Sequence, residues 1–295
     1  MLQEALDEYI ASLASKEGER GGSNQNTIAA YRNDLGQLCT YLTQQHIENW
    51  PQVTREQIAA YLLEMRENQA YRPTTIARKL AALKSFFRYL HSTERIAIDP
   101  VEKLEAPHVQ KELPNVLSAE QVSNLFARVE VQTPTGQRDL AMLQMLYATG
   151  MRVTELVSLN VSDFVAAQSH VVCPGRDGRT RRERTLPLPP ASIEATRHYL
   201  DAARPRLVVH HPEEQALFVN HHGERLTRQG FWLIVKGYAR QAGIIDITPH
   251  MLRHSFAMLM LKGGMELSSV QELLGHAHIS TTQVYSQLAR TRSST

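Results

Sequence analysis

The feature that most constrains how this 295-residue chain can fold is a break after its first third. Asp99-Pro100, Pro107 and Pro114 crowd into residues 99–114. Proline removes a backbone donor and pushes the residue before it out of the helical region, so no helix runs through this stretch. It reads as an extended linker. Just beyond it, Ser118 with Gln121 forms a capping box, which marks a helix start. The chain is expected to form two units, residues 1–98 and 115–295, and it is long enough for two cores.

The first unit reads as four helices. Apolar spacing predicts Leu2 to about Ser15, Asn26 to about His46, Thr54 to about Asn68, and Pro73 to about His91. In the last of these, residues 78–90 alternate an apolar stripe with basic positions, as in a helix packed on one side and laid on DNA. Arg72, Arg78, Lys79, Lys84 and Arg88 stand in a stretch, 68–93, that contains no acid. They are candidate contacts to backbone phosphates.

The second unit carries the chemistry. Thr248 reads as an N-cap with Pro249 at the first helical position, and Gly263-Gly264 closes that helix. His250 and Arg253 are three apart and share a face of its first turn. The apolar run from Phe256 to Leu261 describes a buried helix. Ser268 with Gln271 predicts a cap for a short helix ending at Gly275, which leaves His276 just beyond it. Ser280 with Gln283 predicts another helix, with Tyr285 in its early part. A guanidinium fork matches phosphate geometry, imidazole exchanges protons near neutral pH, and a phenol can attack phosphorus. Taken singly, each residue fits a packing or surface role; taken together, the set suggests work on a phosphodiester.

These motifs resemble a known family. His-x-x-Arg-His at 250–254, Leu-Leu-Gly-His at 273–276 and Tyr285 are similar to the second catalytic box of the tyrosine recombinases, the lambda-integrase family, in its Xer-like branch. The stretch 148–156, Ala-Thr-Gly-Met-Arg-Val-Thr-Glu-Leu, resembles the first box, with Arg152 as its arginine. The likeness continues through Leu159, Asp163 and residues 226–232, where Arg228 is a further DNA-contact candidate. It implies a mainly α fold with a small β-sheet (α+β). A helical, SAM-like core-binding domain and a catalytic domain would close on duplex DNA as a clamp. The implied catalytic set is Arg152, His250, Arg253, His276 and the nucleophile Tyr285. Glu155, one turn after Arg152, either orients it or is a plain helix-surface acid.

One segment departs from the family pattern. Residues 169–173 and 184–188 read as strands flanking a polar, Gly-containing turn, a β-hairpin. The family carries a catalytic lysine at this tip. Here the turn is longer by three residues, and no lysine occurs between Lys111 and Lys236. Alignment from the preceding strand puts Arg176 at the lysine position, and alignment from the following strand puts Arg179 there. Arginine, with a pKa of about 12.5–13.8, is a poorer proton donor than lysine at about 10.4, yet it stabilises a leaving oxygen by charge. All five arginines of the segment, Arg176, Arg179, Arg181, Arg182 and Arg184, fit a grip on the DNA backbone equally well.

Net charge is only +2, so its distribution matters. Residues 1–108 hold 12 Lys/Arg against 14 Asp/Glu, and residues 109–295 hold 20 against 16. Cys39 and Cys173 show no paired spacing, in keeping with a reducing cytosol. No apolar run approaches membrane length and no signal-peptide pattern opens the chain. A cytoplasmic, nucleoid-associated protein of a bacterium or archaeon is expected, without a membrane partner. His210-His211 and His221-His222 lack the spacing of a zinc site, so no metal is expected. Trp50 and Trp232 read as packing residues.

The resulting expectation is a site-specific recombinase using no metal, nucleotide or other cofactor. It cuts and rejoins duplex DNA at a specific site through a 3′-phosphotyrosyl link and a Holliday junction, in chromosome or plasmid dimer resolution or in mobile-element integration and excision. It assembles as a tetramer on DNA, alone or with a paralogous recombinase. A type IB topoisomerase-like enzyme and a non-cleaving DNA-binding relative are the alternatives.

Overall fold

The computed structural model describes residues 1–15, 25–67, 71–105, 115–174 and 183–275. Two compact units divide between Lys111 and Glu112. The helices and the small three-stranded sheet agree with the expected α+β class.

The first unit contains α1 (Leu2–Ser15), α2 (Gln25–Gln44), α3 (Arg55–Glu67) and α4 (Pro73–Ser92). Pro73 starts α4 where its missing donor costs nothing. The inner stripe of α4, Ile76, Leu80, Leu83, Phe86, Phe87 and Leu90, is buried. A buried side chain of this size contributes roughly 1.5–3 kcal/mol, and through this stripe α4 packs against each of the other three helices. Trp50 lies edge-on to Phe86 at 4.8 Å and donates from Nε1 to the Leu2 carbonyl. It packs, as the sequence suggests.

The same stripe corrects one expectation. Lys79 falls on the inward face and is 3% exposed. Its ammonium donates to the buried Asp34 carboxylate at 3.1 Å and to Gln37 at 2.6 Å, and lies 5.2 Å over the Tyr71 ring. It is an internal countercharge and is not placed to contact phosphate. Arg78 shares Asp34 from the solvent side. Arg72 and Arg88 are exposed, and Lys84 is half-buried.

In the second unit, α5 (Ala119–Ala127) begins at Ser118, whose side chain accepts from the Gln121 N–H while Gln121 accepts from Ser118. The central helix α6 (Pro134–Thr149) buries Ala141, Met142, Leu143, Met145 and Leu146. It ends at Gly150, whose left-handed φ of 59° admits α7 (Val153–Ser158) at a sharp turn. Next come β1 (Phe164–Val165), β2 (His170–Cys173) and β3 (Arg184–Pro187), paired antiparallel in that order. The hairpin is as expected, with Cys173 opposite Arg184, and β1 is an addition. A two-residue strand is too short to show periodicity. Beyond the sheet lie α8 (Pro190–His198), a π-helical turn Tyr199–Ala203 and α9 (Arg204–Leu207). The chain continues into α10 (Arg228–Gln241), α11 (Pro249–Lys262) and α12 (Leu267–Leu274).

Two local expectations change here. Of the apolar run in α11, Phe256, Ala257 and Met258 are buried, but Leu259 is 47% exposed, so the run does not describe a helix buried all round. Glu266 holds the N-cap position of α12; Ser268 lies inside the first turn and donates to Glu266 at 3.4 Å.

Candidate active site

The site is built where the starts of α7 and α11 meet the end of α12. Gly150 stops α6, and two residues later Arg152 becomes the N-cap of α7. Its backbone N–H donates to Glu155 Oε2 at 2.7 Å, and its Nη1 donates to Glu155 Oε1 at 3.0 Å. On its other side Nη1 and Nη2 reach the carbonyls of Leu274 and Gly275 at 3.4 and 3.2 Å. Thr248 and Pro249 set the start of α11, with the Thr248 hydroxyl accepting from the Met251 N–H. One turn in, the buried Arg253 donates to the carbonyls of Gly150 and Leu274. The two arginines therefore share a carbonyl although 101 positions separate them.

His250 lies on the rim of the same hollow. A cleft of about 500 Å³ is lined by Arg152, Thr154, Arg228, Trp232, His250 and Arg253, among others. Burial pushes the His250 pKa below the ordinary histidine value, and the charges of Arg253, Arg152 and Arg228 add to the effect. The shift disfavours the charged imidazolium. Its neighbour His254, stacked at 6.1 Å, is pushed down to about 4 by burial, His250 and Arg253.

Glu155 is the hub. Burial alone would raise its pKa. The Arg152 backbone N–H and the guanidinium groups of Arg184 and Arg152 outweigh that, and the carboxyl lies below its usual range. Its sequence ambiguity resolves geometrically, since it grips Arg152 with both oxygens. Arg184 is the residue the sequence reading missed as part of this site. Nothing in a hairpin's local pattern signals a partner 29 positions back on another element.

The remaining assignments divide clearly. Arg152, His250, Arg253 and the DNA-contact candidate Arg228 come together at the cleft. Trp232 is there too, with Lys236 5.1 Å over its ring, so its setting is more than packing. His276, Tyr285, Arg176, Arg179, Arg181, Arg182 and the Ser280–Gln283 cap lie outside the described residues. Lys84 and Arg88 line a separate hollow of about 450 Å³ in the first unit, with His91, Asp99 and Glu102. Among the described residues, no group of three or more His, Cys, Asp or Glu is arranged to hold a metal. His221 and His222 stack on each other at 3.8 Å. No described helix is long and apolar enough to cross a membrane.

Comparison with known proteins identifies the family. Residues 115–292 match the model of the phage integrase family, and residues 6–94 match that of the phage integrase N-terminal SAM-like domain. The chain is 45% identical over 292 residues to tyrosine recombinase XerC of Herpetosiphon aurantiacus, covering 99% of this chain and 92% of that protein. It is 39% identical over 293 residues to tyrosine recombinase XerD of Listeria innocua, covering 99% and 96%. Among solved structures, XerH recombinase in a post-cleavage complex with its palindromic difH substrate has a TM-score of 0.76 at 20% identity, covering 98% of this chain and 92% of that one. A lambda integrase tetramer on a Holliday junction has a TM-score of 0.73 at 18% identity, covering 96% and 76%. These two share the fold.

Proposed function

Because this chain belongs to the phage integrase family, the tyrosine recombinases, we propose that it is an Xer-like enzyme that exchanges strands of duplex DNA at a specific site. The observation that carries the reading is the convergence of Arg152, Arg253 and His250 on one cleft. Two fixed guanidinium groups suit the two non-bridging oxygens of a scissile phosphate, and they favour the added negative charge of a pentacoordinate transition state. His250 accepts the phenol proton as Tyr285 attacks phosphorus. The P–O bond to the 5′ oxygen breaks as the 3′-phosphotyrosyl bond forms, and the departing oxygen takes up a proton from water. His276 donates to the phosphate, and Arg176, or Arg179, stabilises the leaving oxygen. The link conserves the phosphodiester energy, so a 5′ hydroxyl from another strand reverses the step without ATP, and two rounds pass through a Holliday junction.

In this reading residues 1–98 form the core-binding domain, 99–114 the linker and 115–295 the catalytic domain. Arg72, Arg88 and Arg228, being exposed, are the described side chains best placed for phosphates. The partner is duplex DNA carrying a recombination site, on which the protein forms a tetramer, alone or with a paralogue. Its working place is the nucleoid. Full-length likeness to XerC and XerD favours recombination over topoisomerase-like relaxation or a non-cleaving role. The test is covalent trapping on a nicked suicide duplex. Wild type should give an adduct stable to denaturant, and Tyr285→Phe should bind DNA with no adduct. An adduct persisting in Tyr285→Phe would refute the nucleophile assignment.

A further inference from the structure

We propose that Arg184 is a positioning residue of the phosphate clamp, fixing Arg152 and the end of α12 through Glu155 and Gly275. This rests on the reading of Arg152 as a phosphate ligand. Arg184 opens β3, opposite Cys173. Its side chain is 11% exposed. Nη2 donates to Glu155 Oε2 at 3.0 Å, and Nη1 reaches Oε1 at 3.4 Å. The same two oxygens receive the Arg152 N–H and Nη1. One carboxylate therefore takes the Arg184 guanidinium fork on one side and the Arg152 backbone N–H and Nη1 on the other, so both oxygens are shared between the two arginines.

A second contact runs the other way. Gly275 has a φ of +61°, and a Cβ there would lie 2.5 Å from Arg184 Nη1 and 2.9 Å from Cζ. The guanidinium fills the place of that missing side chain, directly against the residue whose carbonyl accepts from Arg152 Nη2. Arg184 thus braces both partners of Arg152. The arrangement is poor for stability taken alone. Arg184 Nε is buried with no partner, and an unmade buried donor is costly. Two guanidinium groups, Arg152 and Arg184, face one carboxylate, Glu155. The surplus positive charge suits a site completed by an anion in the cleft. A pair serving only to hold the fold would have no need of this surplus.

The test is a double-mutant cycle on single-turnover cleavage at saturating DNA, using Arg184→Lys, Arg152→Ala and the double variant. Lysine keeps the charge but cannot bridge both Glu155 oxygens. Misplacement of the clamp should slow Arg184→Lys by about 10–100-fold, with DNA affinity within about threefold and a cooperative melt near wild type. Since Arg184 acts through Arg152, the double variant should cleave no more slowly than Arg152→Ala. Wild-type rates in Arg184→Lys, or rate losses that multiply in the double variant, would overturn the proposal. Loss of the folded state in Arg184→Lys would also overturn it, since the contact would then serve folding alone. An additive cycle in a wild type that forms the covalent adduct refutes this inference only; absence of any wild-type adduct refutes the recombinase reading with it.

Discussion

Gly150→Ala tests whether the arginine pair depends on the turn that separates α6 from α7. The wild-type residue has a φ of +59°, and a Cβ there would lie 2.2 Å from Phe256 Cδ1. The left-handed conformation costs an alanine roughly 1–2 kcal/mol. Forcing a methyl group into a packed aromatic adds about 1–3 kcal/mol. Together the loss is about 2–5 kcal/mol. A shift of 1 kcal/mol moves the melting temperature of a unit this size by about 2–4 °C, so the fall should be unmistakable in urea or thermal denaturation followed by circular dichroism. Phe256→Leu in the same background relieves the steric part but leaves the backbone part. The double variant should therefore be more stable than the sum of the single losses by about 1 kcal/mol. Cleavage should suffer more than stability at temperatures where the protein stays folded, because the Gly150 carbonyl accepts from Arg253 and Arg152 follows two residues on. Stability within about 0.5 kcal/mol of wild type, the ordinary range of a surface substitution, would show the turn to be unstrained and refute the reasoning.

Three further outcomes are expected. Arg176→Ala should slow cleavage of a normal duplex and recover on a substrate with a 5′-bridging sulfur, because a thiolate leaves without a proton; if Arg179→Ala alone shows the rescue, the alignment from the following strand is right, and if neither does, both are backbone grips. Lys79→Met should destabilise the protein by about 1–3 kcal/mol by stripping a buried carboxylate of a donor, yet leave the salt dependence of DNA binding unchanged, whereas Arg88→Ala should lower the salt slope by about 1; a lowered slope for Lys79→Met would put that ammonium on DNA after all. His254 has a folded pKa of about 4 against an ordinary 6.5, so folding stability is intact above pH 6.5 and falls as pH drops toward 4. That loss is worth up to about 3 kcal/mol, and His254→Gln should flatten the pH dependence of the urea midpoint; an unchanged profile would mean that another group carries it.

Helix starts and stops were legible because caps are local chemistry. Ser118–Gln121, Thr248–Pro249 and Gly275 act within a few residues of their own position. Ser268 misled because Glu266, two residues earlier, holds the cap position in its place. The error over Lys79 was visible in principle. Ile76, Leu80, Leu83, Phe86, Phe87 and Leu90 trace one face, and position 79 belongs to it. Its countercharge, Asp34, sits on a different helix, so a count of acids within residues 68–93 could not find it. For the same reason Arg184 read as one more basic residue of the hairpin. Its role depends on Glu155 and Gly275, which only tertiary packing brings to it.

The hydrogen bonds from Arg152 and Arg253 to the carbonyls of Leu274 and Gly275 bear on the entropy of binding. A free arginine side chain carries about 2 kcal/mol of rotamer freedom. Here both side chains are held by the protein's own backbone carbonyls, so much of that freedom is lost during folding and less remains to be lost when a phosphate binds.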